Sequence, residues 1–326
     1  MPLLLALDAG GTSTRATLLD PTGRCIAYAR AGGGNPVSSG LEHASSQLGL
    51  AAEGAVASTG AAPSDVGPVL MAMAGMSVNA STDWISGPLK NRGFDGPIRL
   101  ESDLLATFFS GTWEPDGYGV VAGTGSAGIR VRSGLVERSA DGLGWLLGDV
   151  GSGFWIGHRV ARAVVAALDG RTGPTALTAL LLEDLGIPAT GELVQSGRLE
   201  SLRLATDALY RLRPVELSRF APLAFAARDD ATAKAILADA ADALADLFTA
   251  IASPAVTGPL VLGGSILAQE GVVAESVAAA AAGRVTRMHQ VPDGMVGAIV
   301  LSLRAAGVDV GPEVFDRIVT SLAALR

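Results

Sequence analysis

LLLALDAGGTSTRATLL, residues Leu3–Leu19, holds an apolar run, a turn of Gly, Ser and Thr, and a second alternating run. The same order returns at Tyr118–Arg132 as YGVVAGTGSAGIRVR. Gly10 and Gly123 occupy equivalent points, and a reverse turn follows each segment, at Pro21-Thr22-Gly23 and at Ser133-Gly134. Each segment reads as two strands joined by a turn. A turn of Gly and hydroxyl residues offers backbone N–H groups and small donors to an anion. Two such hairpins facing each other would grip one polyphosphate from both sides. The duplication predicts two domains of one topology with a cleft between them.

Outward from the first hairpin, the chain reads as strands near 3–8, 14–19 and 24–31, then a helix from Ser38/Ser39 towards Ser58, ending before Gly60. Val69–Ala74 is a predicted strand followed by Gly75. Ser81 is placed to cap a helix carrying Trp84, Ile85 and Leu89, with Pro88 limiting its length. Ile98–Glu101 is a strand, and Asp103 follows it, ahead of the apolar stretch Leu104–Phe109. After the second hairpin a Gly-rich loop, Ser139–Gly153, leads into a helix through Leu168. Residues 169–230 read as a helical insertion without a β pattern. In Ala231–Ser253, Ile236, Ala240, Leu244, Leu247 and Ile251 recur every three or four residues, which predicts a long helix. Pro259–Leu262 reads as a strand ending in Gly263-Gly264. Ile266–Ala282 and Met295–Ala306 read as helices, with a strand at Arg284–His289 between them. Strands alternating with helices make an α/β fold with helices on both sheet faces. The linker falls near Gly111–Gly117, where Pro115, Asp116 and Gly117 cluster.

Composition narrows the function classes. The 326 residues are 49% apolar, ample for two cores, and the net charge of −8 argues against a nucleic-acid partner. A nucleotide held by backbone amides and a metal is not excluded. The lone Cys25 rules out an intrachain disulfide and a Cys-rich metal or iron–sulfur site within one chain. The N-terminal strand has no basic region before it, so no signal peptide is expected, and no apolar run reaches the roughly 18–20 residues that span a bilayer. A cytoplasmic protein without a membrane partner is expected. The Ala-rich helices suit either a homodimer or internal packing.

The candidate chemistry sits in the turns. Asp8 ends a buried strand and precedes Gly10, Gly11, Thr12, Ser13 and Thr14. A carboxylate beside Gly and hydroxyls suits a Mg²⁺–phosphate site; a tight turn with a surface Asp is the plain alternative. Gly123, Thr124, Gly125 and Ser126 form the partner turn. Gly263, Gly264 and Ser265 follow a strand and open a helix, where two glycines would let a nucleobase and ribose lie against backbone. Asp103 is the candidate base: partly desolvated, it would accept a hydroxyl proton as that oxygen attacks phosphorus. Locally, an N-cap for the following helix is the stronger reading. Asn35 and Asp149, in Gly-rich loops, suit a small polar ligand, or else a turn and a helix cap. His43, His158 and His289 show no metal spacing and read as structural.

Taken together, LDAGGTSTRATLLD, ESDLLAT, VVAGTGSAGIRV, GLGWLLGDVGSGFWIGHRV and VLGGSIL follow in one order along nearly the whole chain. In that order they resemble the BadF/BadG/BcrA/BcrD-type branch of the sugar kinase–Hsp70–actin superfamily, and within it the N-acetylglucosamine kinases. The resemblance implies a two-lobed ribonuclease H-like, actin-like ATPase fold, with ATP and Mg²⁺ in the cleft and an amino sugar phosphorylated at its 6-hydroxyl. It places the lobes at 1–113 and 114–326, the latter with a helical insertion about 169–230, and leaves the last helix free to pack back on the first lobe. By position, Asp103 would be the base and Asp8 would hold the hydrated Mg²⁺. Thr12 and Thr124 would contact phosphates, Gly264 and Ser265 would border adenosine, and Asn35, Ser126, Gly144 and Asp149 would line the sugar. Family members that activate radical dehydratases hold an iron–sulfur cluster with Cys, which a chain with Cys25 alone does not match. Regulators in neighbouring kinase families carry a DNA-binding head, for which a first strand at residue 3 leaves no room. Glucosamine, N-acetylmuramate and N-acetylmannosamine are rival substrates, and a nucleotide sensor or partner-activating ATPase is the rival of another class.

Overall fold

A computed structural model describes residues 2–73, 81–269 and 271–326. The first half runs β1 (Leu3–Ala9), β2 (Thr14–Leu19), β3 (Cys25–Ala31), α1 (Pro36–Ser39), α2 (Leu41–Ala57), β4 (Val66–Met73), α3 (Asp83–Lys90), β5 (Ile98–Ser102) and α4 (Asp103–Gly111). The second half begins β6 (Gly117–Ala122), β7 (Ser126–Arg132), β8 (Leu135–Asp141) and α5 (Gly153–Leu168). It continues through α6 (Leu177–Asp184), α7 (Glu200–Tyr210), α8 (Ala221–Ala226) and α9 (Ala231–Ile251). β9 (Leu260–Gly263), α10 (Val272–Ala281), β10 (Met288–Val291), α11 (Met295–Ala305) and α12 (Pro312–Ala323) follow.

Two five-stranded sheets form, in the orders β3-β2-β1-β4-β5 and β10-β9-β6-β7-β8. In each, the first three strands make an antiparallel meander and the last two join in parallel. The repeat read from two hairpins therefore extends over two whole sheets. β1, β4 and β5 all point one way, so their C-terminal ends share one edge; β6, β9 and β10 do the same. Loops at such edges are where α/β sheets hold ligands.

Three apolar clusters build the layers. α2 and α3 cover one face of the first sheet, where Leu5, Leu7, Leu18 and Met71 meet Leu48 and Leu89. α5, α9 and α10 cover one face of the second, where Val120 and Leu262 meet Val160, Leu244 and Val277. Between the sheets lies a third cluster from α4 and α11, touching Leu4 and Leu70 on one side and Ile129 and Val261 on the other. α9 shows its stripe as expected: Ile236, Ala240, Leu244, Leu247 and Ile251 are all buried. Asp230 caps it, accepting the N–H groups of Thr232 and Ala233 at 2.9 and 3.0 Å. α12 returns to the first sheet, where Ser321 Oγ accepts the Cys25 N–H at 3.0 Å. Among the described residues no helix is long and apolar enough to cross a membrane.

Several expected boundaries shift. β8 takes up Ser139–Asp141, so the Gly-rich loop begins only at Gly142; this edge strand is mostly exposed and gave no apolar alternation. The helix expected from Ile266 starts at Val272, because Gly271, at φ 123°, breaks the chain direction after a turn at Ile266–Gln269. The strand expected at Arg284–His289 is β10, Met288–Val291, whose register is set by pairing with Leu260–Gly263. Thr82, not Ser81, is the N-cap of α3, while Ser81 accepts the Asp83 N–H at 3.1 Å. Pro88 sits in the last turn of that helix, which ends at Lys90. The insertion is helical but contains one isolated bridge, Leu193 to Leu199. Ala74 and Gly75, expected at the end of β4, lie outside the described residues.

Candidate active site

The first turn is set by hairpin register. Asp8 lies directly across from Arg15 and Ala9 from Thr14, and Gly10 N–H closes the turn on Ser13 O at 3.0 Å. Gly11 and Thr12 are exposed, and their N–H groups donate to nothing among the described residues. Ser13 and Thr14 are buried instead. The Thr14 hydroxyl is fully enclosed without a partner among the described residues. The second turn repeats this form: Gly123 N–H closes on Gly125 O at 2.9 Å, and Thr124 is exposed. Each turn thus leaves exposed backbone donors at its tip, the arrangement a phosphate needs.

Asp8 is 8% exposed. Its Oδ2 accepts from Arg15 Nη1 at 3.2 Å and from the Gly294 N–H at 3.2 Å. Burial pushes its carboxyl up to about 6, the Arg15 guanidinium pulls it down, and the charges of Asp293 and Asp103 push it up again. Three carboxylates therefore share this place with two partly buried guanidinium groups, those of Arg15 and Arg326, which leaves a local deficit of positive charge. That donor set fits Mg²⁺. No group of three His, Cys, Asp or Glu converges on a metal position among the described residues, and Mg²⁺ ordinarily keeps several waters and takes phosphate oxygens.

Asp103 opens α4 at the end of β5, beside the end of β4. Ser102 is the N-cap: its Oγ accepts the Leu105 N–H at 3.4 Å. The capping role expected for Asp103 is therefore taken by its neighbour. Burial raises the Asp103 carboxyl above the usual carboxylate range, with the Leu104 and Asp103 N–H groups drawing it partly back. A desolvated carboxylate raised by burial is suited to accept a proton.

The remaining candidates gather around the turns. Gly34 N–H donates to Gly10 O at 3.1 Å, which brings the 32–35 loop onto the first turn. Asn35 there caps α1, accepting the Val37 N–H at 2.8 Å. On the other side, Ser126 N–H donates to Asp149 Oδ1 at 3.1 Å and Ser126 Oγ to Val150 O at 2.9 Å. Gly153 and Phe154 donate their N–H groups to Gly123 O and Thr124 O, at 2.7 and 3.1 Å. Asp149 is buried, and burial raises its carboxyl; the Ser126 N–H lowers it and Asp141 raises it further. Ser152, not Asp149, caps α5. Gly144 stands in open space within the loop. Ile266 N–H reaches Ala122 O at 2.9 Å, which seats Gly263, Gly264 and Ser265 against the second turn, with Ser265 exposed.

Three residues were missed. Arg15 bridges Asp8 and, through Nε at 3.3 Å, Asp293. Asp293 also takes Arg326 Nη2 at 2.8 Å and the Met295 N–H at 3.0 Å. Arg15 was legible as the residue facing Asp8 in the hairpin register, and Asp293 as the acid of a Pro292-Asp293-Gly294 turn before a helix. Asp141 holds the Gly-rich loop and ends a strand that sequence periodicity does not show.

Comparison with known proteins agrees with this fold. The family described as BadF/BadG/BcrA/BcrD ATPase matches residues 5–302. The N-acetyl-D-glucosamine kinase of Dictyostelium discoideum is 27% identical over 267 residues, 76% of this chain and 79% of that protein. Glucosamine kinase GspK of Vibrio cholerae is 27% identical over 170 residues, 52% of this chain and 57% of that protein. A solved structure from Chromobacterium violaceum, provisionally named an N-acetylglucosamine kinase, superposes with a TM-score of 0.72 at 26% identity, covering 93% of this chain and 99% of that one. A ROK family glucokinase from Streptomyces griseus, solved with glucose and AMPPNP, shares the two-lobed fold at a TM-score of 0.53 and 17% identity, over 93% of this chain and 99% of that one.

Proposed function

Because the chain belongs to the BadF/BadG/BcrA/BcrD ATPase family, we propose that it is an ATP-dependent amino-sugar kinase that phosphorylates N-acetylglucosamine at the 6-hydroxyl. The observation that carries the reading is Asp103: a desolvated carboxylate at the start of α4, with Ser102 as the N-cap, whose charge is felt at Asp8.

The exposed N–H groups of Gly11 and Thr12 and the tip of the second turn at Thr124 and Gly125 hold the phosphates of ATP. Gly10 and Gly123 shape those turns, as do the buried Ser13 and Thr14. Gly263, Gly264 and Ser265 border the adenosine. Asn35, Ser126, Gly144 and Asp149 hold the sugar, and Asp103 accepts the 6-hydroxyl proton as its oxygen attacks the γ-phosphorus. Asp8 would hold Mg²⁺ through water; bound there, the ion offsets negative charge on the phosphates. Closure of the two lobes on the sugar excludes water from the reacting groups.

The test is a coupled assay with Mg·ATP and a panel of N-acetylglucosamine, glucosamine, N-acetylmuramate and glucose. The reading expects ADP release to depend on sugar and to be fastest with N-acetylglucosamine. ADP release that no sugar accelerates would assign the chain to nucleotide sensing or partner activation instead.

A further inference from the structure

The Gly-rich loop between β8 and α5 has an aspartate in left-handed backbone at each end. Among the described residues, the non-glycine residues with positive φ are Ser133, Asp141 and Asp149, at 52°, 58° and 57°. Ser133 belongs to the reverse turn between β7 and β8. The other two bound one loop. Such backbone persists where its surroundings over-determine it, and it clusters at ligand clamps.

The surroundings here are a pair of carboxylates. Asp141 Oδ1 accepts the Asp149 N–H at 2.8 Å, and its Oδ2 accepts the Val150 N–H at 3.2 Å. The same Oδ1 meets the Leu143 N–H at 3.5 Å, from the loop's other end. The neighbouring Gly142 N–H donates to Ser126 O at 3.0 Å. Asp149 Oδ1 in turn accepts the Ser126 N–H, so close to the second turn that a Cβ at Gly125 would stand 2.7 Å from it. One carboxylate ties the ends of the loop together, and the tie fixes the backbone from which the other carboxylate extends.

The loop also carries an unusual surface. Leu143, Trp145, Leu146, Leu147 and Val150 are 66%, 43%, 73%, 77% and 39% exposed. Five large apolar side chains in so short a stretch would gather onto the nearest apolar surface if the backbone were free. Trp145 meets Phe154 of α5 edge-on, at 5.9 Å between ring centroids, and the clasp at Asp141 closes the backbone that carries all five.

We propose that Asp141 is a positioning residue for the amino-sugar site. Its carboxylate closes the Gly-rich loop so that Asp149 meets the sugar hydroxyls from a fixed backbone, with the apolar face of the loop held ready for the sugar's acyl group. This rests on the sugar-kinase reading given above, and it makes Asp141 a determinant of sugar affinity rather than of nucleotide affinity.

The decisive variant is Asp141→Gly, since glycine adopts φ 58° without strain and the change removes the carboxylate; Asp141→Asn keeps one acceptor oxygen and the Cβ, and so separates loss of the carboxylate from added backbone freedom. Calorimetric binding of N-acetylglucosamine and, separately, of ADP is measured for each, with amide hydrogen exchange across residues 141–150. Asp141→Gly is expected to weaken sugar binding about tenfold or more, the scale of losing hydrogen bonds to a charged acceptor. ADP affinity stays within about twofold, exchange at Asp149 and Val150 accelerates, and Asp141→Asn falls between. Sugar affinity unchanged in Asp141→Gly overturns the proposal, and so does an equal loss for sugar and ADP. Wild-type protein that binds no amino sugar overturns the kinase reading itself, an outcome visible before any variant is made.

Discussion

Ser102 is the N-cap of α4, and Asp103 is the helix's first residue: the Leu105 N–H goes to Ser102 Oγ, while the Asp103 carboxylate meets the first-turn N–H groups of Asp103 and Leu104. Asp149 and Ser152 repeat the division on α5, where the serine again takes the cap, at 3.2 Å from the Trp155 N–H. In both places a serine hydroxyl is the N-cap, and the nearby carboxylate is not.

Asp103→Asn keeps the shape and removes the proposed base. Steady-state kinetics should show kcat down by roughly 10²–10⁴ with sugar affinity within a few-fold of wild type, the usual range for a general base. Normal turnover in this variant would remove Asp103 from the mechanism.

Asp8 links activity and stability to pH in opposite senses. Its carboxyl is raised from 3.8 to about 6. Between those values the folded chain holds a proton that the unfolded chain has released, so this group's contribution to stability is complete below 3.8 and is lost as pH rises through about 6. With Asp8 in the proposed metal-holding role activity needs the anion, so kcat/KM should fall on the acid side of pH 6. Asp8→Asn removes the buried charge: nucleotide-free protein at pH 8 should gain up to about 3 kcal/mol by urea denaturation while losing activity. A variant less stable than wild type at pH 8 would contradict this.

α4 and α11 cross at contact distance. Gly297 N–H donates to Ser110 Oγ at 2.8 Å, and Ser110 Oγ donates to Ala106 O at 2.9 Å. A Cβ at position 297 would overlap the Ala106 carbonyl. Gly297→Ala should therefore cost about 1–3 kcal/mol or more, read as a lowered melting temperature. Gly87→Ala, where a Cβ meets open space, serves as the control and should leave stability nearly unchanged.

Cys25 reports on α12. The thiol is buried beneath Ile318 and Ser321, and burial pushes it up to about 11. At pH 8 almost none is thiolate, so labelling by a disulfide reagent should be very slow in the native protein. Ile318→Ala should speed labelling at least tenfold, by roughly 2–5 kcal/mol of lost packing under α12. Equal rates would mean that the helix does not guard the thiol.

Much of the architecture was legible because the two hairpins carry their own alternation and the helices their own stripes. Leu5, Leu7 and Leu18 face one side and are buried as that pattern requires. What failed to show were elements whose cause lies elsewhere in the chain. β8 is an exposed edge strand held by pairing to β7, and β10 takes its limits from β9. In the site, Asp8, Asp103 and Asp149 stood out by position at strand ends and in Gly-rich loops. The capping serines beside them could be assigned only once the helix starts were fixed. Arg15 faces Asp8 across the first hairpin, whereas Asp293 comes from the far end of the chain, and only the fold brings it to Arg15.

The inner face of the first sheet is covered by α4 in part and otherwise by α11 and α12, which follow every other described element in the chain. A nascent chain that has completed α4 therefore exposes Leu4, Leu19 and Leu70 while roughly 190 more residues are translated, about 10–40 s at ordinary elongation rates. For that interval the first lobe is a natural client for a holdase chaperone, and an early stop codon anywhere before α11 would leave a sticky fragment in place of a smaller working enzyme.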